Sequence, residues 1–212
     1  MRDIAAIIGE LYTPDSKSQG YDAEVIAAAE QRLGCSLPAT LRDYYALFGQ
    51  NEALNTTYNR LLPPQNIYYT NSGHLVFYEE NQAVAVWGID KNDLHRDDPP
   101  VYGSYDMERE DWFEDSDTTA HFLLSMAYWQ AALGGLLYTA FREKPSAEML
   151  AIIENNWSEQ KGITNQYLRF FTSDHREILV LTTDEEGQPN GLYIASNNEE
   201  RYQQTMALIN KY

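Results

Sequence analysis

The stretch "AEQRLGCSLPATLRDYYALFG", residues 29–49, most constrains the fold because it contains two helical patterns separated by only a few residues. The first pattern covers residues 22–33, with Asp22 as the N-cap and Gly34 where a left-handed residue usually closes a helix. The second begins near Pro38, whose missing N–H suits a first turn, and ends at Gly49. Two helices that meet at a tight corner and share a core are therefore expected. Their apolar stripes are Val25, Ile26, Ala29 and Leu33 on one helix, and Leu41, Tyr44, Tyr45 and Phe48 on the other.

Cys35 is the single cysteine of the chain and lies in this corner. A position just before a helix start would suit an activated nucleophile. The four histidines are scattered, however, and no sequence pattern pairs one of them with Cys35. We therefore favour a packing role, in which Cys35 fills a corner as a small apolar side chain.

After "LLPPQ" the apolar pattern changes from the helical period to that of short strands. The runs "NIYYT", "GHLVFYEE" and "QAVAVWGI" predict an antiparallel meander, and "PPVYGSY" predicts a further strand. A helix is expected over residues 118–133, with Phe122, Met126, Trp129 and Leu133 on one face, and another over residues 145–157. The runs "QYLRFFTS", "EILVLTTD" and "GLYIAS" predict a second set of strands.

A closing helix is expected after these strands, opened by a capping box of Ser196 and Glu199 and buried along Tyr202, Met206 and Ile209. The order of elements predicts an α+β fold, with N-terminal helices packed on a mainly antiparallel sheet and with a further helix, strands and a C-terminal helix. The chain of 212 residues is expected to form one domain, 1–212.

The formal charge of −17 decides which classes of macromolecule are expected to bind this chain. A polyanion is repelled by nucleic-acid phosphates and by anionic membranes, so neither is an expected partner. A basic protein would gain from this field through faster encounter and charge complementarity. The N-terminus "MRDIAAIIGELYTPD" indicates an amphipathic helix rather than a signal peptide, and with one cysteine no internal disulfide is expected; a cytoplasmic protein is the favoured interpretation.

Motifs that carry chemistry are weak or missing in this sequence. It has no metal-ligand spacing, no phosphate-binding glycine loop and no Gly-x-Ser-x-Gly turn, so neither a cofactor nor catalysis is expected. "HRDDPP" would allow His95, Asp97 and Asp98 to surround a cation, although its prolines favour an exposed, extended segment. A carboxylate pair acting as acid and base remains open, but any two of the 32 acids would serve.

Aromatic residues beside acids indicate a partner-binding surface more strongly than these motifs indicate chemistry, because tyrosine and tryptophan dominate the binding energy of protein interfaces. The chain has sixteen tyrosines, and the segment 90–117 has eleven acids. Trp87 is expected in the core, whereas for Trp112 core and surface are equally favoured. The predicted partner-binding residues are Glu79, Glu80, Asp97, Asp98, Tyr105, Glu108, Glu110, Asp111, Trp112, Glu114 and Asp115.

Three blocks of the chain, in order over residues 22–135, resemble the SUKH superfamily. They are "IAAAEQRLGCSLPATLRDYYALFGQN", "LVFYEENQAVAVWGI" and the segment from "DDPPVYGSY" to "DWFEDSDTTAHFLLSMAYWQAALGG"; residues 136–212 would complete the fold. In this resemblance the residues that determine the fold are Leu33, Gly34, Leu37, Pro38, Tyr45, Gly49, Trp87 and Gly88.

The resemblance implies a bacterial immunity protein that binds and neutralises a cognate toxin domain, often a nuclease, with no catalytic residues of its own. The expected partner is a basic toxin protein, and the expected state is a monomer or weak homodimer. Two alternatives remain: a cytoplasmic regulatory or scaffold protein, as in eukaryotic relatives, and an acidic hydrolase that uses a carboxylate pair.

Overall fold

The computed structural model describes residues 2–12, 19–106 and 108–211. The described residues form two compact units: the first comprises those within 1–5 and 14–123, and the second those within 6–13 and 124–212. Helices α1 (Arg2–Tyr12) and α5 (Thr119–Gln130) contribute residues to both. All strand pairs among the described residues are antiparallel, and the predicted α+β fold is confirmed. That residues 1–212 form one domain stays a prediction.

The predicted helix pair opens the first unit as α2 (Ala23–Leu33) and α3 (Ala39–Phe48), followed by the short α4 (Glu52–Asn55). Gly34 ends α2 with φ 72°, a left-handed conformation that glycine adopts without steric cost. The carboxylate of Glu30 then holds the corner, because it accepts from the Leu37 N–H at 2.8 Å and from the Arg42 guanidinium at 2.7 Å. Glu30 thus accepts a hydrogen bond from a backbone N–H that lies outside both helices, and it also forms an ion pair with Arg42.

The first sheet contains six described strands: β1 (Arg60–Leu61), β2 (Tyr68–Tyr69), β3 (His74–Glu79), β4 (Val86–Asp90), β5 (Val101–Ser104) and β6 (Phe113–Ser116). Their order is β1-β3-β4-β5-β6, with β2 also paired to β3. Gly88 lies where the backbones of β3 and β4 approach closely, since a Cβ there would be 2.9 Å from the Leu75 carbonyl oxygen.

Aromatic side chains fill the core of the first unit. Phe122 meets Phe77 and Tyr78 in edge-to-face contacts, with ring centroids 5.6 and 5.4 Å apart. Trp87 also packs against Phe122 and is 6% exposed, which confirms its predicted core position.

The second unit contains five strands and two further helices: β7 (Tyr138–Glu143), α6 (Ala147–Asn156), β8 (Ser158–Glu159), β9 (Leu168–Thr172), β10 (Glu177–Thr183), β11 (Pro189–Ser196) and α7 (Glu199–Ile209). The strands form one sheet in the order β7-β11-β10-β9-β8. Helices α6 and α7 share a buried apolar cluster with this sheet that includes Trp157, Leu179 and Ile209.

Several local predictions are wrong. Val25 is 38% exposed instead of buried on the α2 stripe. The capping box of Ser196 and Glu199 is replaced by an Asn198 N-cap, whose side chain accepts from the Arg201 N–H at 2.9 Å. Of the expected stripe on residues 118–133, Phe122 is buried, but Met126, Trp129 and Leu133 are only half-buried. Helix α5 instead buries residues on several sides, among them Leu123, Leu124, Ala127 and Tyr128.

Cys35 lies at the corner between α2 and α3 as predicted but is only half-buried. Its Sγ lies 3.0 Å from the hydroxyl oxygen of Tyr69 on β2. The corner packs instead around Leu37, which is 2% exposed.

Candidate partner-binding surface

The acidic tract, residues 90–117, runs from the end of β4 through β5 and β6, all within the first unit. Met107 lies outside the described residues. Eleven acids and three lysines or arginines occupy this segment, so its local charge is strongly negative. The structure divides the predicted partner-binding residues into side chains with contacts inside the chain and side chains directed to solvent.

Glu110 is among the inward group. Its carboxylate accepts from the backbone N–H groups of Ser72 at 2.6 Å and Asn71 at 3.1 Å, in the turn between β2 and β3. These hydrogen bonds, those from Ser72 foremost, lower the pKa of Glu110, because they favour the charged carboxylate. The φ of Glu110 is 53°, a value uncommon outside glycine. Glu110 therefore fastens the β5–β6 connection to the turn.

Trp112 covers the face of the first sheet instead of projecting from it. Its indole stacks on the His74 imidazole and donates through Nε1 to Ser72 Oγ at 3.0 Å. It also packs against a small buried cluster of Leu62, Val76 and Val86. Trp112 thus belongs to the apolar packing, while part of it stays accessible.

Asp98 and Asp115 also serve the fold. The Ala120 N–H at the start of α5 donates to Asp98 at 2.9 Å, so Asp98 satisfies an otherwise unpaired donor of the first helical turn. The indole Nε1 of Trp87 donates to Asp115 at 3.3 Å. Burial raises the pKa of Asp115, and the hydrogen bond from Trp87 partly opposes that shift.

Glu79 and Glu80 lie at the end of β3. Glu79 pairs with Arg60, the residue opposite it on β1, at 3.0 Å. Glu80 accepts from the Gln82 N–H at 2.7 Å and shapes the turn into β4. Both carboxylates therefore have local partners.

The side chains directed to solvent form a smaller set. We define the outward acids as the four predicted carboxylates that are exposed: Asp97, Glu108, Asp111 and Glu114. Tyr105 is 67% exposed and stacks on Phe113, with ring centroids 5.3 Å apart and planes 20° apart. We call Tyr105 and Phe113 the aromatic pair.

The sequence prediction missed Phe113, which is 40% exposed on β6. Its ring lies over Gly103 of β5, where a Cβ would meet the Phe113 Cζ at 2.7 Å. A signal was present in "DWFED", because neighbouring side chains in an extended segment point to opposite sides. With Trp112 on one side of the segment, Phe113 falls on the other.

A catalytic or metal-binding arrangement gains no support from the described residues. No group of three or more His, Cys, Asp or Glu side chains among them is placed to hold a metal ion. A cleft in the first unit is lined by apolar and hydroxyl-bearing residues, including Thr40, Leu47 and Leu123, and by no carboxylate. Across the described part of the chain, the helices are too short or too polar to cross a bilayer.

The model of the SMI1 / KNR4 family (SUKH-1) matches residues 20–207. No curated protein and no solved structure matches the chain significantly. The family match covers most of both units and includes the helix corner, Gly88 and the whole acidic tract. The chain therefore belongs to the SMI1 / KNR4 family (SUKH-1), as its three sequence blocks indicated.

Proposed function

We propose that this chain is an immunity protein that binds a basic toxin domain stoichiometrically and blocks it without catalysis. The observation that carries the proposal is that the outward acids and the aromatic pair are all exposed within the acidic tract of the first unit and its strand β6. Membership in the SUKH-1 family supports the same class of function, because the resemblance implies immunity proteins among bacterial members. We further propose that the chain acts in the cytoplasm as a monomer or weak homodimer.

Charge explains why an acidic inhibitor suits such a target. A nuclease toxin holds nucleic acid through cationic side chains, and a protein with a net charge of −17 competes for those groups. Long-range attraction accelerates the encounter, and the aromatic pair supplies apolar contact area once the surfaces meet. The acids that already bond inside the chain, such as Asp98 and Glu110, contribute to the field more than to direct contacts.

The first experiment tests the function itself. A toxin domain encoded beside the gene for this chain is expressed in a sensitive cell, with and without the chain. Rescue of growth, together with a one-to-one complex of the purified proteins, is the expected result. A chain that binds other cytoplasmic proteins but rescues no toxin-expressing cell would favour the regulatory or scaffold alternative.

The second experiment tests the surface. Changing all four outward acids to lysine should slow association about tenfold or more and flatten its salt dependence, because steering by charge is lost. The matched control changes four exposed acids of the second unit to lysine: Glu143, Glu185, Glu186 and Glu200. Both variants alter the net charge equally. An equal loss in both would show that overall charge, and not this surface, governs binding.

A further inference from the structure

Among the described strands, β6 lies at the end of the first sheet and pairs with β5 alone. An edge strand presents unpaired backbone N–H and C=O groups, which a segment of another protein can use to extend the sheet. Phe113 and Glu114 on this strand are exposed, whereas Asp115 and Ser116 are half-buried. The outer edge of β6 therefore has no described strand beside it, and two of its four side chains face solvent.

The aromatic pair adds apolar area at the same place. Phe113 belongs to β6, and Tyr105 follows β5 directly, so the stacked rings stand at the sheet edge. A strand added beside β6 would place a side chain opposite Phe113, and cross-strand pairs of this kind stabilise sheets. An aliphatic side chain or the stem of a lysine would suit that contact.

The negative charge of β6 indicates which kind of segment would pair with its exposed edge. The strand "FEDS" contains two acids, and Asp111 and Asp117 flank it. A second copy would bring two acidic strands together, and like charges directly opposite each other destabilise a sheet. A basic segment would instead be attracted to β6, because its lysines and arginines would lie opposite carboxylates.

We infer that β6 is a docking site for an extended, basic segment of a partner protein, which adds to the first sheet as a strand beside Phe113–Ser116. This inference rests on the proposed function for its partner, a basic toxin domain. It goes further by assigning the mode of binding. The partner segment forms backbone hydrogen bonds to the edge of β6, the aromatic pair favours its apolar side chains, and Glu114 favours its basic side chains.

The test uses the full chain and a blocked synthetic peptide that alternates lysine with valine. Hydrogen exchange is followed with and without the peptide, and affinity is measured by titration. Binding should slow exchange of those amides of residues 113–116 that point away from β5, because strand addition gives them new acceptors. Exchange in β7, an edge strand of the other sheet, should not change.

Two variants and one modified peptide separate strand addition from simple charge attraction. Phe113→Ala should weaken peptide binding about tenfold, whereas Phe141→Ala, which removes an exposed phenylalanine from edge strand β7, should change it by no more than about twofold. A peptide with its central amides N-methylated keeps its charge but lacks backbone donors, and should lose most of its affinity.

Three outcomes would overturn the inference. The first is no binding of the unmodified peptide, and the second is binding that N-methylation leaves unchanged, which would mean attraction by charge alone. The third is protection of residues 113–116 that rises with the concentration of the free chain, which would make a second copy the occupant. None of these results bears on the rescue of toxin-expressing cells, so the rescue experiment tests the proposed function independently of this inference.

Discussion

The indole of Trp112 lies flat on the imidazole of His74, with ring centroids 4.0 Å apart and planes 11° apart. Ser72 connects the two, since its Oγ accepts from the indole N–H and lies 3.0 Å from His74 Nδ1. His74 begins β3, and Trp112 comes just before β6. The stack therefore attaches the β5–β6 connection to the sheet. The same contact orders the chain immediately before Phe113.

The first prediction concerns the Trp112 ring. Trp112→Ala should lower the free energy of unfolding by about 2 kcal/mol, less than for a fully buried tryptophan because this ring is only partly enclosed. Trp112→Phe keeps an aromatic ring over His74 and should lose about 1 kcal/mol, mainly the hydrogen bond to Ser72. Urea-induced unfolding measures both. Equal stability of the alanine variant and the parent would mean that the stack does not hold the connection.

The second prediction concerns pH. The pKa of His74 lies below its usual value of 6.5 because burial excludes water, an effect that Asp90 and Glu110 partly oppose. A lowered pKa in the folded chain means that folding favours the neutral ring. The stabilising contribution is therefore present above the usual pKa and is lost as the pH falls from there through the lowered pKa.

His74→Phe tests this expectation, because phenylalanine retains the stack and does not titrate. The stability of the parent relative to this variant should fall as the pH is lowered from about 7.5 to about 5. A titration of the His74 ring by NMR should give a midpoint below that of a histidine in an unfolded peptide. A constant difference between the parent and His74→Phe would contradict the assignment.

The third prediction concerns Glu177, a carboxylate that is only 1% exposed in the second unit. It accepts from the Trp157 indole N–H at 3.0 Å and from the Ser173 hydroxyl at 2.5 Å, and Arg201 lies 3.1 Å from its second oxygen. Glu177→Ala removes the acceptor of the buried Trp157 indole N–H and of the Ser173 hydroxyl, although Arg201 keeps its ion pair with Asp174. The free energy of unfolding should therefore fall by about 3 kcal/mol.

Glu177→Gln refines this prediction. Its amide oxygen can still accept from Trp157 and Ser173, but the charge opposite Arg201 is gone, so a smaller loss of about 1 to 2 kcal/mol is expected. Glu185→Gln, in the exposed turn between β10 and β11, should be neutral within about 0.5 kcal/mol. Thermal or urea unfolding ranks the three variants. A harmless Glu177→Ala would show that the carboxylate does not organise this end of the sheet.

The fourth prediction concerns access to Cys35. The Tyr69 ring partly covers the thiol, with its hydroxyl oxygen 3.0 Å from Sγ. Burial and the contact with Cys35 raise the pKa of Tyr69, so the phenol stays protonated at neutral pH. Tyr69→Phe removes the hydroxyl and should accelerate alkylation of Cys35 by iodoacetamide several-fold. Tyr68→Phe, at the neighbouring residue on β2, should leave the rate unchanged; equal acceleration by both would indicate a general loosening of β2.

The helix corner was the most predictable part of the fold. Its signals are local: a helical period of apolar residues, a glycine that accepts φ 72° and a proline where the next helix begins. The strands richest in aliphatic and aromatic residues, such as β3 and β10, were predictable for the same reason. Their side chains favour a buried, pleated surface wherever they pair.

Strand β6 was not predictable in this way. "FEDS" has little intrinsic preference for a strand, because acids are depleted there. It forms a strand because β5 offers backbone partners beside it, with Gly103 leaving room for the Phe113 ring. Strand β7 was missed similarly, since its "YTAFRE" pairs with β11 over residues far along the chain.

The sequence alone was enough to predict the family, the α+β class, the helix corner and the negative field, because each depends on composition or on neighbouring residues. It did not determine which carboxylates face a partner. Asp98 and Glu110 resemble Asp111 and Glu114 in sequence. The first two meet backbone N–H groups at Ala120 and Ser72, 22 and 38 residues away. Only tertiary structure brings such donors to an acid, and a carboxylate that has bonded them is no longer available to a partner.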